Sequence, residues 1–189
     1  LREFSRYLFR LGYMNPYLIP PKQMPKLHPE APYFFSEDEL SLFFRKCDSY
    51  YAENPGPRMR GIIMPALFRV LYCCGLRPKE ARMLPYGKVN LAGKYIDILQ
   101  SKGPKSRRIF ISDELVSYLM LYDSQVSAML PKREYFFPAD IDKPYSVQAL
   151  CYNFGLIWKK AFPEWSGKMP RIYDLRHHFA WAAINRWAR

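Results

Sequence analysis

The sequence predicts a mainly α-helical α+β fold with one small antiparallel β-sheet. Apolar residues recur at helical spacing along most of the chain, which indicates amphipathic helices. Two short apolar runs, Tyr95 to Leu99 and Ile109 to Ile111, flank a polar segment and indicate two strands joined by a turn. Because 49% of the 189 residues are apolar and 17% are aromatic, the chain can bury the core of a domain.

The first 32 residues are expected to lie outside that domain. Residues 1–13 have apolar side chains at helical spacing, and Gly12 marks the end of the helix they predict. Residues 15–32 contain six prolines and two lysines, a composition typical of an extended linker. We therefore predict the end of a separate unit and a proline-rich linker at residues 1–32, and a second domain at residues 33–189.

Capping residues mark where the helices of the second domain begin. Ser36 and Glu39 have the spacing of a capping box, and Ser112 and Ser146 precede two further apolar periodic segments. Gly75 follows the second helix as a stop signal. The predicted helices begin at Ser36 and run at least to Cys47, and then cover about 58–74, 78–84, 113–123, 147–161 and 173 to the end.

The charge of the chain points to a polyanionic partner. It contains 29 Lys and Arg residues against 17 Asp and Glu, a formal net charge of +12. Cationic side chains that neutralise phosphates release condensed counterions, which favours binding to nucleic acid. Charge alone is also compatible with a generic basic surface.

Cysteine usage and the absence of an export signal indicate a cytoplasmic protein. The four cysteines include no C-x-x-C pair, and Cys73 and Cys74 stand in an apolar helical stretch suited to packing. The apolar runs are too short to predict a membrane span. The first residues lack the layout of a secretion signal and do not begin with Met, which we interpret as a fragment boundary.

Three basic clusters stand inside otherwise apolar segments: residues 75–80, the turn around Lys102, and residues 173–180. Burying an unpaired guanidinium is costly, so each arginine there needs a counter-charge. For Arg77 the nearest candidate is Glu80, one helical turn away. A structural salt bridge would explain either arginine cluster alone, but not the order of all three.

The three clusters together resemble the tyrosine recombinases, also called the phage integrase family. The resemblance rests on Gly-Leu-Arg-x-x-Glu at 75–80, a lysine-bearing hairpin turn, and Leu-Arg-His-x-Phe-Ala at 175–180, and it extends from about Pro32 to the end. It implies the family's DNA breaking-rejoining catalytic fold for the second domain. Residues 1–32 resemble the final helix and linker of the family's separate core-binding domain.

The resemblance implies catalytic roles for Arg77, Lys102, Tyr173 and Arg176, with Glu80 and His177 as supporting residues. Guanidinium groups match the non-bridging oxygens of a phosphodiester, on which charge gathers during attack. Lys102 can protonate the departing 5′ oxygen, although Lys105 remains an alternative for this role. Phosphate contacts are expected from four further cations, which are Lys79, Lys105, Arg107 and Arg108.

Three features depart from the family pattern. Tyr173 stands three residues before Arg176, where most of the family has His, and a phenol cannot act as a general base at neutral pH without a large pKa shift. His178 occupies a position usually held by a small hydroxyl residue, and we assign it no role. The chain also stops 13 residues after Arg176, so the resemblance implies that the nucleophilic tyrosine is missing from it.

The sequence thus predicts metal-independent DNA cleavage and rejoining without a cofactor, with duplex DNA and further recombinase protomers as partners. A metal-dependent nuclease is disfavoured, because the candidate carboxylates Asp113, Glu114, Asp140 and Asp142 fit a helix start and a loop better. Two non-enzymatic alternatives remain open at this point. One is a DNA-binding module of the same fold, and the other is a helical protein-interaction domain with surplus surface charge.

Overall fold

The computed structural model describes residues 7–8, 10–13, 31–53, 59–99 and 106–188. The chain divides into two compact units, residues 1–31 and 32–189. In the first unit, the amide of Leu11 donates to the carbonyl of Tyr7 over 3.2 Å, and Gly12 follows with a φ of 82°. This left-handed conformation suits a helix stop at glycine, as the sequence predicts. The proline-rich linker lies almost entirely outside the described residues, as do Lys102 and Lys105.

The second unit is mainly helical, which confirms the predicted α+β fold class. Its helices are α1 (Glu37–Glu53), α2 (Arg60–Cys74), α3 (Pro78–Arg82), α4 (Asp113–Met129), α5 (Val147–Ala161) and α6 (Asp174–Trp187), with a 3₁₀ turn at Tyr86–Lys88. The strands are β1 (Val89–Asn90), β2 (Tyr95–Ile98), β3 (Arg107–Phe110), β4 (Pro138–Asp140) and β5 (Lys143–Pro144). Among the helices described, none has the length and hydropathy to span a membrane.

The described strands form two antiparallel sheets rather than the single sheet predicted. Strands β1, β2 and β3 pair in that order, with Ile98 opposite Arg107, and β4 pairs with β5 as a separate hairpin. Strand β3 begins at Arg107, two residues before the predicted start. Its first two residues are arginines, so apolar residues do not indicate where the strand begins. Pairing with β2 determines where β3 begins. The two-residue strands β1 and β5 are too short to show an alternating pattern.

The predicted caps are present, and helix α4 is longer than expected. The Ser36 hydroxyl accepts from the Glu39 amide over 3.1 Å and the Glu39 carboxylate accepts from the Ser36 amide over 2.7 Å, which completes the capping box. The Ser112 and Ser146 hydroxyls accept from the first turns of α4 and α5. Helix α4 continues past residue 123 because Val126, four residues after buried Tyr122, extends its buried stripe.

Helix α2 lies at the centre of the core. Its side chains Ile63, Met64, Leu67 and Phe68 are fully buried, and the helix packs against α1, α4 and α6. An aromatic cluster of α1 and α5 side chains closes one side of this core, in which Trp158 is almost fully buried. The prediction for the cysteine pair is correct only for Cys74, because Cys74 is buried whereas Cys73 is exposed. Consecutive residues of a helix point about 100° apart, and at this end of α2 Cys74 faces the core whereas Cys73 does not.

The junction between α2 and α3 requires glycine for two independent reasons. Gly75 ends α2 with a φ of 59°, a left-handed conformation that is strained for other residues. A Cβ atom at this position would also lie 2.3 Å from the Phe179 ring of α6 and 2.9 Å from Cγ of that ring. Because Cγ is close to the backbone, the ring cannot simply swing away. Glycine therefore allows α6 to pack directly on the end of α2.

We predict that Gly75→Ala destabilises the protein by about 1–3 kcal/mol, since it combines a strained φ with overpacking against Phe179. Urea unfolding of the variant and the parent measures this difference. Gly87→Ala is the matched control, because a Cβ at Gly87 meets no atom within 4 Å. The control is expected to change the free energy of unfolding by less than about 0.5 kcal/mol. Equal stabilities for the two variants would contradict the close packing of α6 on Gly75.

Candidate active site

Arg77 stands at the first turn of α3, where the backbone and Glu80 hold it in place. It has an extended conformation, with φ of −70° and ψ of 146°, and Pro78 begins the helix. The Glu80 carboxylate accepts the Arg77 amide over 2.9 Å and its guanidinium over 2.6 Å. Only 4% of the Glu80 side chain is exposed, against 31% for Arg77. Hydrogen bonding to Glu80 and, to a smaller extent, to Tyr173 raises the pKa of Arg77.

Arg107 reaches the same carboxylate from strand β3. Its two terminal nitrogens donate to the two Glu80 oxygens over 3.1 and 2.6 Å, a forked ion pair. From the sequence, Arg107 was expected to lie in a basic turn and to contact a phosphate. The structure places it instead within a strand, where its guanidinium pairs with Glu80. The side chain is about one-third exposed, at 34%.

The start of helix α6 lies against the α2–α3 junction. The Arg176 guanidinium donates to the carbonyl of Gly75, two residues before Arg77. Asp174, which is buried, accepts the Arg171 amide over 2.8 Å and also pairs with the Arg171 guanidinium, so the first turn of α6 is anchored. Tyr173 precedes this turn and hydrogen-bonds with Arg77. The two arginines singled out from the sequence therefore belong to one cluster, although 99 positions separate them.

An open cavity of about 300 Å³ lies beside this cluster, and Gly75, Arg107, Arg176 and Phe179 line it. Arg77 lines an adjacent cavity of about 190 Å³, together with Glu80 and with Lys79, whose side chain is exposed. Three guanidinium groups and one buried carboxylate thus share one region of the surface. The excess of positive charge suits an anionic group with several oxygen atoms.

Arg108 also lines the cavity of about 300 Å³, but its guanidinium is held by side chains of β2 and not by Glu80. Its guanidinium pairs with Asp97 on β2 over 2.8 and 3.0 Å and stacks on the Tyr95 ring, with 3.7 Å to the centroid. Hydrogen bonding from Arg108 lowers the pKa of Asp97. Neighbouring strand residues point to opposite faces, so Arg107 faces Glu80 and Arg108 faces solvent. This alternation is the signal in the sequence that could have separated the two arginines.

The two histidines of α6 differ in environment. The His177 ring packs against the Tyr173 ring, with 5.1 Å between the ring centroids. His178 is buried among Phe35, Tyr72 and Trp181, and burial lowers its pKa. Among the described residues its Nδ1 is buried without a hydrogen-bond partner, which is a costly arrangement for a polar group.

The carboxylates considered as metal ligands of a nuclease make other contacts. Asp113 lies in the first turn of α4 and pairs with Lys94 over 2.6 Å, and Asp140 accepts from the Ile141 amide. Across the described ranges, no three His, Cys, Asp or Glu side chains are grouped so that they could hold a metal ion.

Comparison with known proteins places this geometry in context. The model of the phage integrase family matches residues 34–188. Tyrosine recombinase XerD of Pseudomonas putida is 33% identical over 193 residues, and tyrosine recombinase XerC of Lactobacillus delbrueckii subsp. bulgaricus is 28% identical over 192. Each alignment covers all of this chain, which spans 60% of the XerD and 61% of the XerC sequence.

A solved structure shares the fold at lower sequence identity. The XerH site-specific recombinase, in a post-cleavage complex with a palindromic difH substrate, superposes with a TM-score of 0.67 at 19% identity. The match covers 92% of this chain and 49% of the XerH chain. Since the family model spans nearly the whole of the second unit, including Arg77, Glu80, Arg107 and Arg176, the chain belongs to the phage integrase family.

Proposed function

We propose that the protein is a site-specific DNA recombinase that cleaves and rejoins strands without a metal ion. One observation carries the proposal: the Arg176 guanidinium is bonded to the backbone two residues before Arg77, next to a cavity that opens to solvent. Family membership supports the same activity, because the curated relatives are named tyrosine recombinases. The chain spans about three-fifths of those relatives, so the activity is proposed for the intact protein.

In this proposal Arg77 and Arg176 hold the two non-bridging oxygens of one scissile phosphate. Guanidinium donors are fixed before the reaction begins, and they stabilise the charge that develops as a nucleophile attacks phosphorus. Glu80 orients the Arg77 guanidinium through their ion pair. Tyr173 donates a hydrogen bond at the site, and His177 supports the Tyr173 ring. Removing one preorganised donor from such a site typically slows the chemical step by roughly 10²- to 10³-fold.

The chemical step transfers a phosphoryl group twice. The hydroxyl oxygen of an enzyme tyrosine forms a bond to phosphorus as the bond from phosphorus to the 5′ oxygen breaks, which gives a 3′-phosphotyrosyl link. Lys102 donates the proton that the departing 5′ oxygen takes up. The 5′ hydroxyl of a partner strand then attacks the phosphotyrosyl link and releases the tyrosine. The covalent intermediate conserves the bond energy, so ATP is not required.

The proposed partners are duplex DNA and further copies of the protein, since exchange between two duplexes requires an enzyme at each cleaved strand. The net charge of +12 suits contact with the phosphate backbone. Lys79, Lys105 and Arg108 are proposed as backbone contacts, and Lys79 and Arg108 are exposed beside the site. We place the protein in the cytoplasm in association with DNA, and we interpret residues 1–32 as the end of the core-binding domain and its linker.

We predict that Arg176→Ala in the intact protein lowers the cleavage rate by about 10²- to 10³-fold, because a fixed donor to the phosphate is lost. The substrate is a duplex selected from a random library by its affinity for the protein, and single-turnover formation of the covalent complex is measured. Arg186→Ala, on the exposed surface of the same helix, is the control of equal charge and should cleave at the parental rate. Equal rates for both variants would contradict the role of Arg176, and a parent that binds the duplex but forms no covalent complex would favour a DNA-binding module without catalysis.

For Lys102→Ala we expect a loss of about 10²- to 10⁴-fold on an ordinary phosphodiester, as is typical when a general acid is removed. A substrate with sulfur in place of the bridging 5′ oxygen needs no proton on its leaving group, so on it the variant should approach the parental rate. Lys105→Ala is the matched control from the same turn. An equal loss on both substrates rules out the general acid, and a selective loss in Lys105→Ala transfers the role to that lysine.

A further inference from the structure

Arg107 and Arg108 are neighbours in one strand with the same charge and opposite surroundings. Arg107 makes a forked ion pair with Glu80, whose side chain is 4% exposed. Arg108 pairs with Asp97 on the solvent face, where the Arg108 side chain is 49% exposed. From the sequence, both residues were expected to contact DNA phosphates. Both side chains line the cavity of about 300 Å³, and Arg107 in addition holds the Glu80 carboxylate that binds Arg77.

The Glu80 carboxylate is shared evenly between two arginines. Its Oε1 accepts from the Arg77 guanidinium over 2.6 Å and from Arg107 over 3.1 Å. Its Oε2 accepts from the Arg77 amide over 2.9 Å and from Arg107 over 2.6 Å. A carboxylate has about four lone-pair sites, so these four bonds use its ordinary capacity. The position of Glu80, and through it that of Arg77, is therefore set in part by Arg107.

The ion pair also connects two elements that the proposed reaction must align. Arg107 is the first residue of β3 and follows the segment that contains Lys102, and Glu80 lies in α3, which Arg77 directly precedes. The forked geometry fixes both the distance and the orientation between these two segments. Glu80 is buried, so without Arg107 the charge of its carboxylate would be balanced by Arg77 alone. The Arg77 guanidinium would then be drawn more strongly to Glu80 than to an incoming anion.

We propose that Arg107 is a positioning residue, which acts through Glu80 to hold Arg77 in the orientation that binds a phosphate and to fix the hairpin against α3. It is not primarily a contact to the DNA backbone. This inference rests on the proposed function, because the group that Arg77 receives is the phosphate of that reaction.

The test uses the 189-residue chain and inorganic phosphate as the probe, with the Nε–H signals of Arg77 and Arg176 followed by nitrogen-15 NMR. We expect Arg107→Ala to weaken phosphate binding at Arg77 by about 10-fold, as loss of a charge-assisted hydrogen bond would. Arg107→Lys should restore part of this affinity, because it keeps the charge and loses the fork. Arg69→Ala is the matched control, because Arg69 makes an equally forked ion pair, to Asp48, and lines neither cavity of the site; it should bind phosphate as the parent does.

A second readout separates positioning from direct contact with DNA. The affinity for a generic duplex is measured against salt concentration, and loss of one phosphate contact reduces the slope by about 1. We expect the slope of Arg107→Ala to equal that of the parent. A reduced slope with unchanged phosphate affinity at Arg77 would make Arg107 an ordinary backbone contact and overturn the proposal.

Two further outcomes are decisive. If phosphate shifts neither the Arg77 nor the Arg176 signal in the parent, the proposed function itself fails. If Arg107→Ala does not fold, Arg107→Lys decides the matter, since parental phosphate affinity in that variant would show that the two-point grip on Glu80 has no effect on Arg77.

Discussion

The packing of helix α6 on Gly75 is the contact that brings the two halves of the candidate site together. Arg77 follows Gly75 by two residues, and Arg176 donates to the carbonyl of Gly75 itself. The Phe179 ring occupies the space that a side chain at position 75 would fill. One residue without a Cβ therefore ends α2, admits α6 and offers the backbone oxygen that holds Arg176. The glycine of the Gly-Leu-Arg motif is thus a structural requirement of the two-arginine site.

Charge imposes the second constraint. Guanidinium groups repel one another, so a site built from several of them needs a counter-ion that does not itself occupy the phosphate position. Glu80 meets this requirement because it lies behind Arg77, almost fully buried, and takes hydrogen bonds from Arg77 and Arg107 on both of its oxygens. A buried carboxylate that is fully hydrogen-bonded can remain ionised, and it orients both cations. Arg176 is held by a neutral carbonyl instead, so the site keeps its overall positive charge.

Much of this arrangement could be predicted from the sequence, because its signals are local. The pairing of Arg77 with Glu80 follows from a spacing of one helical turn, and the helix starts at Ser36, Ser112 and Ser146 follow from side-chain capping. The order of the basic clusters indicated the family before any fold was known. Spacing in the sequence predicts a contact correctly when the two interacting groups are close in the chain.

The features that the sequence analysis missed depend on contacts between distant segments. Arg107 resembles a turn residue, since nothing beside it is apolar, and only pairing with Ile98 makes it part of a strand that faces Glu80. The same holds for Cys73, which is exposed although its segment is apolar and which lines an open cavity with residues of α6. Tertiary packing decides these cases, and periodicity alone cannot.

The central claim is that Arg77 and Arg176 bind one phosphate. The most direct measurement is a crystal structure of the chain with orthovanadate, which mimics a phosphoryl group in transfer. The account predicts one bound anion with a guanidinium nitrogen of each arginine within about 3.2 Å of its oxygens, and with Glu80 still bonded to Arg77 and Arg107. An anion held by one of the two arginines while the other points elsewhere would contradict it.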